Sequence, residues 1–454
     1  MASGVGYGVQ PLERRFGRIE LARGRMILVS LAMLALATGV TGCAAVGMLG
    51  WDTKIGDLGG PCVWESGFGA GTEDVAVDPV TGGVYVSAGI VVAGDRDAPQ
   101  PRGGLWLLRF GPDGTAVRQE VTGGVPREFH PHGIAIWEDR DRSERRLFVI
   151  NHQPPSGASR IEIYRILGDG RLEWLQGRAY SELPRPNDLV ATGRTAFFAV
   201  NDHGSPRSTN PKNPFTAENL ETLLPQRKGA VVYVDETGAK IAQSGLAFPA
   251  GIAISPELKW LYVGETSARA IGRYERLPDN RLVRRNTFQA GPMPDNLTWS
   301  DGRIWYGAHS RLLSFLGHAI WPSSVKSPGR VEIMNPETGA RQIVFRQRGA
   351  ALTTLSVGAP LGDQVVVAPS ISLLLVFARW RRREGRTAPL ACCCRHGNGH
   401  IDASRRRSWR PGQAFVLDFR ARTASGARAH DGVAGCVHGN LDLIADRRRN
   451  PNPR

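Results

Sequence analysis

No two cysteines in this sequence form a C-x2-C pair, and no G-x-S-x-G, H-E-x-x-H or phosphate-loop pattern occurs along it. The first absence argues against a zinc cluster, because structural zinc sites draw thiolates in closely spaced pairs. The others argue against a nucleophile-elbow hydrolase, a helix-borne zinc protease and a nucleotide-phosphate cradle. Gly67-Phe68-Gly69-Ala70-Gly71 is glycine-rich but precedes a strand pattern, so it reads as loop. Of the six cysteines (Cys43, Cys62, Cys392, Cys393, Cys394, Cys436), Cys62 alone falls in the patterned middle of the chain.

Lysine is absent from residue 373 onward. Of the formal net charge of +15, residues 373–454 carry +11, from seventeen Arg against six acidic residues, leaving +4 for the other 372 residues. A basic tail is not a basic binding face, so nucleic acid is not an expected partner of the body. In the tail the alternation stops and Arg triplets recur at Arg381–Arg383, Arg405–Arg407 and Arg447–Arg449. Arg without Lys, amid Ala and Gly, reads as GC-rich DNA translated out of frame or as a recently acquired extension. A basic tail for anionic lipid is the functional alternative.

Charge is also missing from Met26–Trp51, which follows Arg14, Arg15, Arg18, Arg23 and Arg25. A positive flank before an apolar run is a signal or anchor segment, and the run is long enough to span a bilayer. The Arg cluster keeps the cytoplasmic side, so the body is expected to be extracytoplasmic, secreted or membrane-anchored. Val40-Thr41-Gly42-Cys43 resembles a lipobox that would lipidate Cys43. The division is therefore 1–50 signal or anchor, 51–372 body and 373–454 irregular basic tail.

What is present is repetition. Between Thr72 and Ser372 six units begin at Glu73, His132, Asn187, Ala250, Asp295 and Thr353, each an alternating strand, a turn and a second apolar strand. Gly at 55 and Pro at 30 suit many short strands and turns. Clusters such as Asp78-Pro79-Val80-Thr81-Gly82-Gly83 close hairpins. A lone hairpin is barely stable, so each unit must pack on its neighbours. Six such units predict an all-β fold, a six-bladed β-propeller; a sandwich is the alternative.

Consecutive strand residues point in opposite directions, so Glu73-Asp74 and Asn187-Asp188 would present oxygen at two levels of the axis. Stacked rings of hard oxygen donors select calcium. His132 opens the second unit and His152 closes its antiparallel partner strand, so the two could meet and activate a water. The bland readings are turn-forming Asp and Asn and a surface histidine. Asn296-Leu297-Thr298 is a glycosylation sequon that an inner strand would hide.

With Pro131-His132-Gly133-Ile134, Asn151-His152, Pro186-Asn187-Asp188, Asn201-Asp202-His203 and Pro294-Asp295-Asn296 in order, the chain resembles the serum paraoxonase/arylesterase family over about 57–372. The resemblance implies a six-bladed propeller with two axial calcium ions that hydrolyses lactones and aryl esters. It implies Glu73, Asn187, Asp295 and Asn296 as ligands of a catalytic ion. It implies Asp74, Asp188 and the carbonyl of Ile134 as ligands of a structural ion, and His132 with His152 as a catalytic dyad. It also implies a small ester or lactone substrate, a membrane or lipid anchor at the N-terminus, and a monomer.

Two departures stand out. Ala250 occupies a position where the family has an Asn ligand, and no Cys follows the sixth unit until Cys392 to pair with Cys62 as the family's staple does. Ala250 favours the competing function, a strictosidine-synthase-like or ligand-binding propeller that keeps calcium for structure only. His132, His152, Asp295 and Asn296 favour hydrolysis.

Overall fold

Alternating strands joined by Asp/Gly turns produce antiparallel hairpins, and among the described residues these join into six four-stranded sheets arranged as a six-bladed propeller. The structure, a computed structural model, describes residues 49–58, 62–68, 71–90, 102–111, 115–125, 128–153, 158–208, 213–321, 324–349, 352–370 and 374–379. The apolar run before Leu49, the lipobox at Cys43, the side chain of Cys62 and the Arg-rich triplets lie outside them. Among the described residues no helix is long and apolar enough to cross a membrane.

The turn after the first inner strand shows how local sequence sets local shape. Asp78 accepts from the Val80 N–H at 3.0 Å and the Thr81 hydroxyl at 2.7 Å, and Gly82 takes φ +68°, which a side chain would resist. Arg145 of the second blade donates to both oxygens of the same Asp78, at 2.8 and 2.7 Å. One buried carboxylate in an exposed turn thus joins two blades. Adjacent sheets pack face to face: Tyr85, Leu105 and Leu107 of the first blade meet Leu147, Val149 and Tyr164 of the second. Each fully buried Val, Leu or Phe in such a seam contributes about 1.5–3 kcal/mol.

The inner strands are Gly71–Val77, Pro131–Glu138, Pro186–Ala191, Pro249–Ile254, Met293–Ser300 and Leu355–Leu361, one per blade. Every one carries a bulge near its start. The register slips at Thr72/Asp74, Pro131/Ile134, Pro186/Leu189, Pro249/Gly251, Pro294/Leu297 and Leu355/Val357. A bulge leaves backbone groups out of the ladder and re-aims the side chains beside it. Here the bulges coincide with the polar pairs.

The sixth blade corrects the boundary expected at Ser372. Its third strand is Leu374–Arg379, and its fourth is Cys62–Ser66 from the other end of the body, paired as Val63↔Phe377 and Glu65↔Leu375. Leu375, Val376, Phe377 and Ala378 are all buried, so this strand is covered on both faces. A strand covered on both faces reads as a plain apolar run rather than an alternation, which hid it in the sequence.

Among the described residues two short helices stand in the loops between second and third strands. Helix α1 (Ala217–Leu223) belongs to the third blade and is capped by Thr216, whose hydroxyl accepts from the Asn219 N–H at 3.2 Å. Helix α2 (Leu312–Ile320) belongs to the fifth. Both sit at the end of the ring where the inner strands begin.

Candidate functional site

The polar pairs from different blades meet. The Asn296 amide of the fifth blade donates to Oε1 of Glu73 in the first at 3.0 Å, and His132 Nε2 of the second lies 3.6 Å from the same oxygen. Glu73, Asp295 and Asn296 are buried, and Asn187 is half-buried. Asn296 is 1% exposed, so the sequon is hidden as expected.

One residue along, Asp74 and Asp188 point the other way and fasten neighbouring blades. Asp74 accepts from the Val75 N–H and, across the blade boundary, from the Ile134 N–H, both at 2.8 Å. Asp188 accepts from Leu189 at 2.7 Å and from Ile252 of the fourth blade at 2.8 Å. Each carboxylate thus takes up an N–H beside a neighbour's bulge. Ile134 joins this level through its N–H.

Burial and like charge dominate the electrostatics. Burial, then the neighbouring Asp74 and Asp295, push Glu73 well above the usual carboxylate range. Burial, partly offset by the Ile134 and Val75 N–H groups, raises Asp74 to about 7. Burial and then Asp74 push Asp188 well up. Among the described residues no Lys or Arg forms an ion pair with these three. Glu73 Oε2, Asn187 Oδ1 and Asn296 Oδ1 are buried with no hydrogen-bond partner. Leaving one such group unsatisfied costs about 1–3 kcal/mol, more when charged. Buried oxygens without hydrogen-bond donors are the kind of group a hard cation such as calcium would satisfy.

Among the described residues no three His, Cys, Asp or Glu side chains close on one ion-sized position. Glu73, Asn187 and Asn296 offer carboxylate and amide oxygens, donors of the kind hard cations take.

The histidines expected to meet do so: the rings of His132 and His152 are 4.9 Å apart at 59°. His152 Nδ1 lies 2.9 Å from the Ser159 hydroxyl, while neither ring nitrogen of His132 has a partner. Burial, followed by the Arg207 charge, lowers His132 to about 4. Burial and then Arg207 press His152 well below its usual value. Both imidazoles are neutral at pH 7.

A profile of the arylesterase family matches residues 62–369, which covers all six inner strands. The chain belongs to the arylesterase family. It is 30% identical to human serum paraoxonase/arylesterase 2 over 357 residues, covering 76% of this chain and 96% of that one. It is 31% identical to the rat protein of the same name over 294 residues (63% and 80%), and 27% identical to human serum paraoxonase/lactonase 3 over 304 (66% and 83%).

Within this arylesterase-family site, sequence reasoning missed two groups, Ser356 and His309, and gave no role to a third, Asp202 of the Asn201-Asp202-His203 motif. Ser356 occupies the sixth bulge and donates to the Glu73 carbonyl oxygen at 2.5 Å, although the unit was counted from Thr353. His309 Nε2 lies 2.9 Å from Asp295 Oδ2 and its ring stacks on Phe315 of α2, centroids 4.1 Å apart. The signal was available, since His309 closes its unit just as His152 closes the second. Asp202 accepts from the Asn187 amide at 3.4 Å and from Arg185 at 3.1 Å; Arg185 also donates to Glu218 of α1 at 2.6 Å. Ala250 is 1% exposed and brings no oxygen to the ring, as its side chain dictates.

Proposed function

We propose that this chain is a calcium-dependent hydrolase of esters, an arylesterase or lactonase, with two ions at successive levels of the axis. Glu73, Asn187, Asp295 and Asn296 would hold the catalytic ion, and Asp74, Asp188 and the Ile134 carbonyl the structural one. The observation that carries the reading is the junction at Glu73, where Asn296 and His132 arrive from other blades beside three partnerless oxygens. Family membership supports the reaction class. Serum paraoxonase/arylesterase 2 and serum paraoxonase/lactonase 3 bear the two activities in their names.

Held by Glu73, Asn187, Asp295 and Asn296, a calcium ion would supply Lewis-acid polarisation of the substrate carbonyl. The chain's own residues do the rest. Neutral His132 has an open ring nitrogen to take a proton as water attacks the carbonyl carbon. His152, held by Ser159, is close enough to share that proton and return it to the departing alcohol or phenol. Asp295 is tied to His309, which fixes its rotamer.

A second reading, a strictosidine-synthase-like or ligand-binding propeller with structural calcium only, is favoured by Ala250, which removes one donor from the upper ring. In either reading Met26–Trp51 would secure a monomeric body at the extracytoplasmic face of a membrane.

The test is turnover of phenyl acetate and a γ-lactone by the full chain, with and without chelator, alongside calcium content. Activity should vanish on chelation and return with calcium. His132→Gln should lower kcat by about 100-fold or more with calcium content unchanged. No turnover from the calcium-loaded chain sinks the hydrolase in favour of the second reading.

A further inference from the structure

The inner strands grade from buried at the histidine end to half-exposed at the other, in all six blades: Ala76 and Val77, Ala135 to Glu138, Ala191, Ile254, Thr298 to Ser300, Pro360 and Leu361. That grading marks an opening. A cavity of about 480 Å³ occupies this far half of the axis, with walls from every blade. At roughly 30 Å³ per water it has room for about sixteen waters, enough for a hydrated ion.

Its lining is uneven. Asp74 and Asp188 stand at its inner apex, the walls are mostly apolar, and Glu138, paired with Arg142 at 3.2 Å, lies toward the rim. No Lys or Arg is among the lining residues, and neither are Glu73, Asn187, Asp295 or either histidine of the dyad. Between the two levels the neighbouring inner strands press closely on one another. A Cβ on Gly133 would fall 2.5 Å from the Asn187 carbonyl oxygen, and one on Gly251 2.1 Å from that of Asp295. The Asn296–Glu73 and Ser356–Glu73 hydrogen bonds tie blades together there.

We propose that the far cavity is the access route of the deep cation, so that the two ions load and leave from opposite faces of the ring. This rests on the calcium reading above. The walls are mostly apolar, and the one carboxylate between rim and apex, Glu138, is paired with Arg142. The acidic apex, with no basic residue facing it, draws cations inward. The histidine end serves substrate and the upper ion alone.

The experiment loads the full chain with radioactive calcium, removes free ion by desalting, and follows release into excess unlabelled calcium at low salt. Release should fall into two phases. Thr298→Lys places a positive charge on the cavity wall and should slow one phase about five-fold, while Thr298→Glu should speed the same phase by a similar factor. The other phase and phenyl acetate turnover should stay within about two-fold of the parent chain. Opposite shifts from opposite charges cannot arise from misfolding. Both phases moving together, or neither moving, overturns the separate route. A chain that keeps no calcium after desalting overturns the calcium reading itself, and the route with it.

Discussion

Among blades one to five, odd and even ones solve the same crowding problem in opposite ways. At the second position of the pair, blades one, three and five carry Asp74, Asp188 and Asn296, whereas blades two and four carry Gly133 and Gly251. Asp74 reaches over to the N–H of Ile134 beside Gly133, and Asp188 to that of Ile252 beside Gly251. Six side chains at one level would not fit where inner strands approach to within a methyl group of one another. In blades one to five, the odd ones therefore put a polar side chain at the second position and the even ones leave it to backbone. At the first position even blades also contribute polar groups, His132 and Ser356. The fold keeps its bulge in both, so site chemistry can vary from blade to blade without disturbing the ring.

The comparison is broken most severely by giving an even blade a side chain. Gly251→Ala puts a Cβ 2.1 Å from the Asp295 carbonyl oxygen and 2.8 Å from the Leu297 nitrogen, both backbone atoms. It should cost about 3 kcal/mol or more, read as a lowered urea midpoint or failure to fold. Removing chemistry from an odd blade should spare the fold. Glu73→Gln should weaken calcium binding by about 100-fold, measured by titration calorimetry, with circular dichroism unchanged.

Giving chemistry to an even blade sharpens the comparison. Ala250→Asn should tighten calcium by about ten-fold and raise lactone turnover at limiting calcium. An unchanged affinity would mean that the first position of the fourth blade does not face the ion. The smallest effect tests the fastening between blades one and two. Burial pushes Asp78 up, but hydrogen bonds from Thr81 and Arg145 outweigh it, and its carboxyl titrates below the usual value. Its stabilisation is complete above about pH 3.9 and is lost as pH falls through the lower folded-state value. Asp78→Asn should lower stability at pH 7 and flatten that acid-side slope in urea melts.

The six units, the polar pairs and the histidine dyad were legible because their signals are local: a strand start, a turn, a histidine at a hairpin's end. The bulges were not, since one extra residue leaves the alternation on either side intact and shows only in the pairing. Ser356 was overlooked for that reason, its unit having been counted from Thr353-Thr354 three residues earlier. The strand Leu374–Arg379 was lost because burial on both faces erases period two. The Asp202–Arg185–Glu218 chain joins a strand to a helix some thirty residues on, a link that no short motif encodes.

The seam between Cys62–Ser66 and Leu374–Arg379 has a bearing on biosynthesis. A ribosome must deliver nearly the whole body before the circle can close, so a nascent chain cut short of the last strand has no cage in which to hold an ion. On the calcium reading proposed above, ion capture would be reserved for chains that include this strand, and truncation before residue 379 should read as a loss of binding as well as of shape.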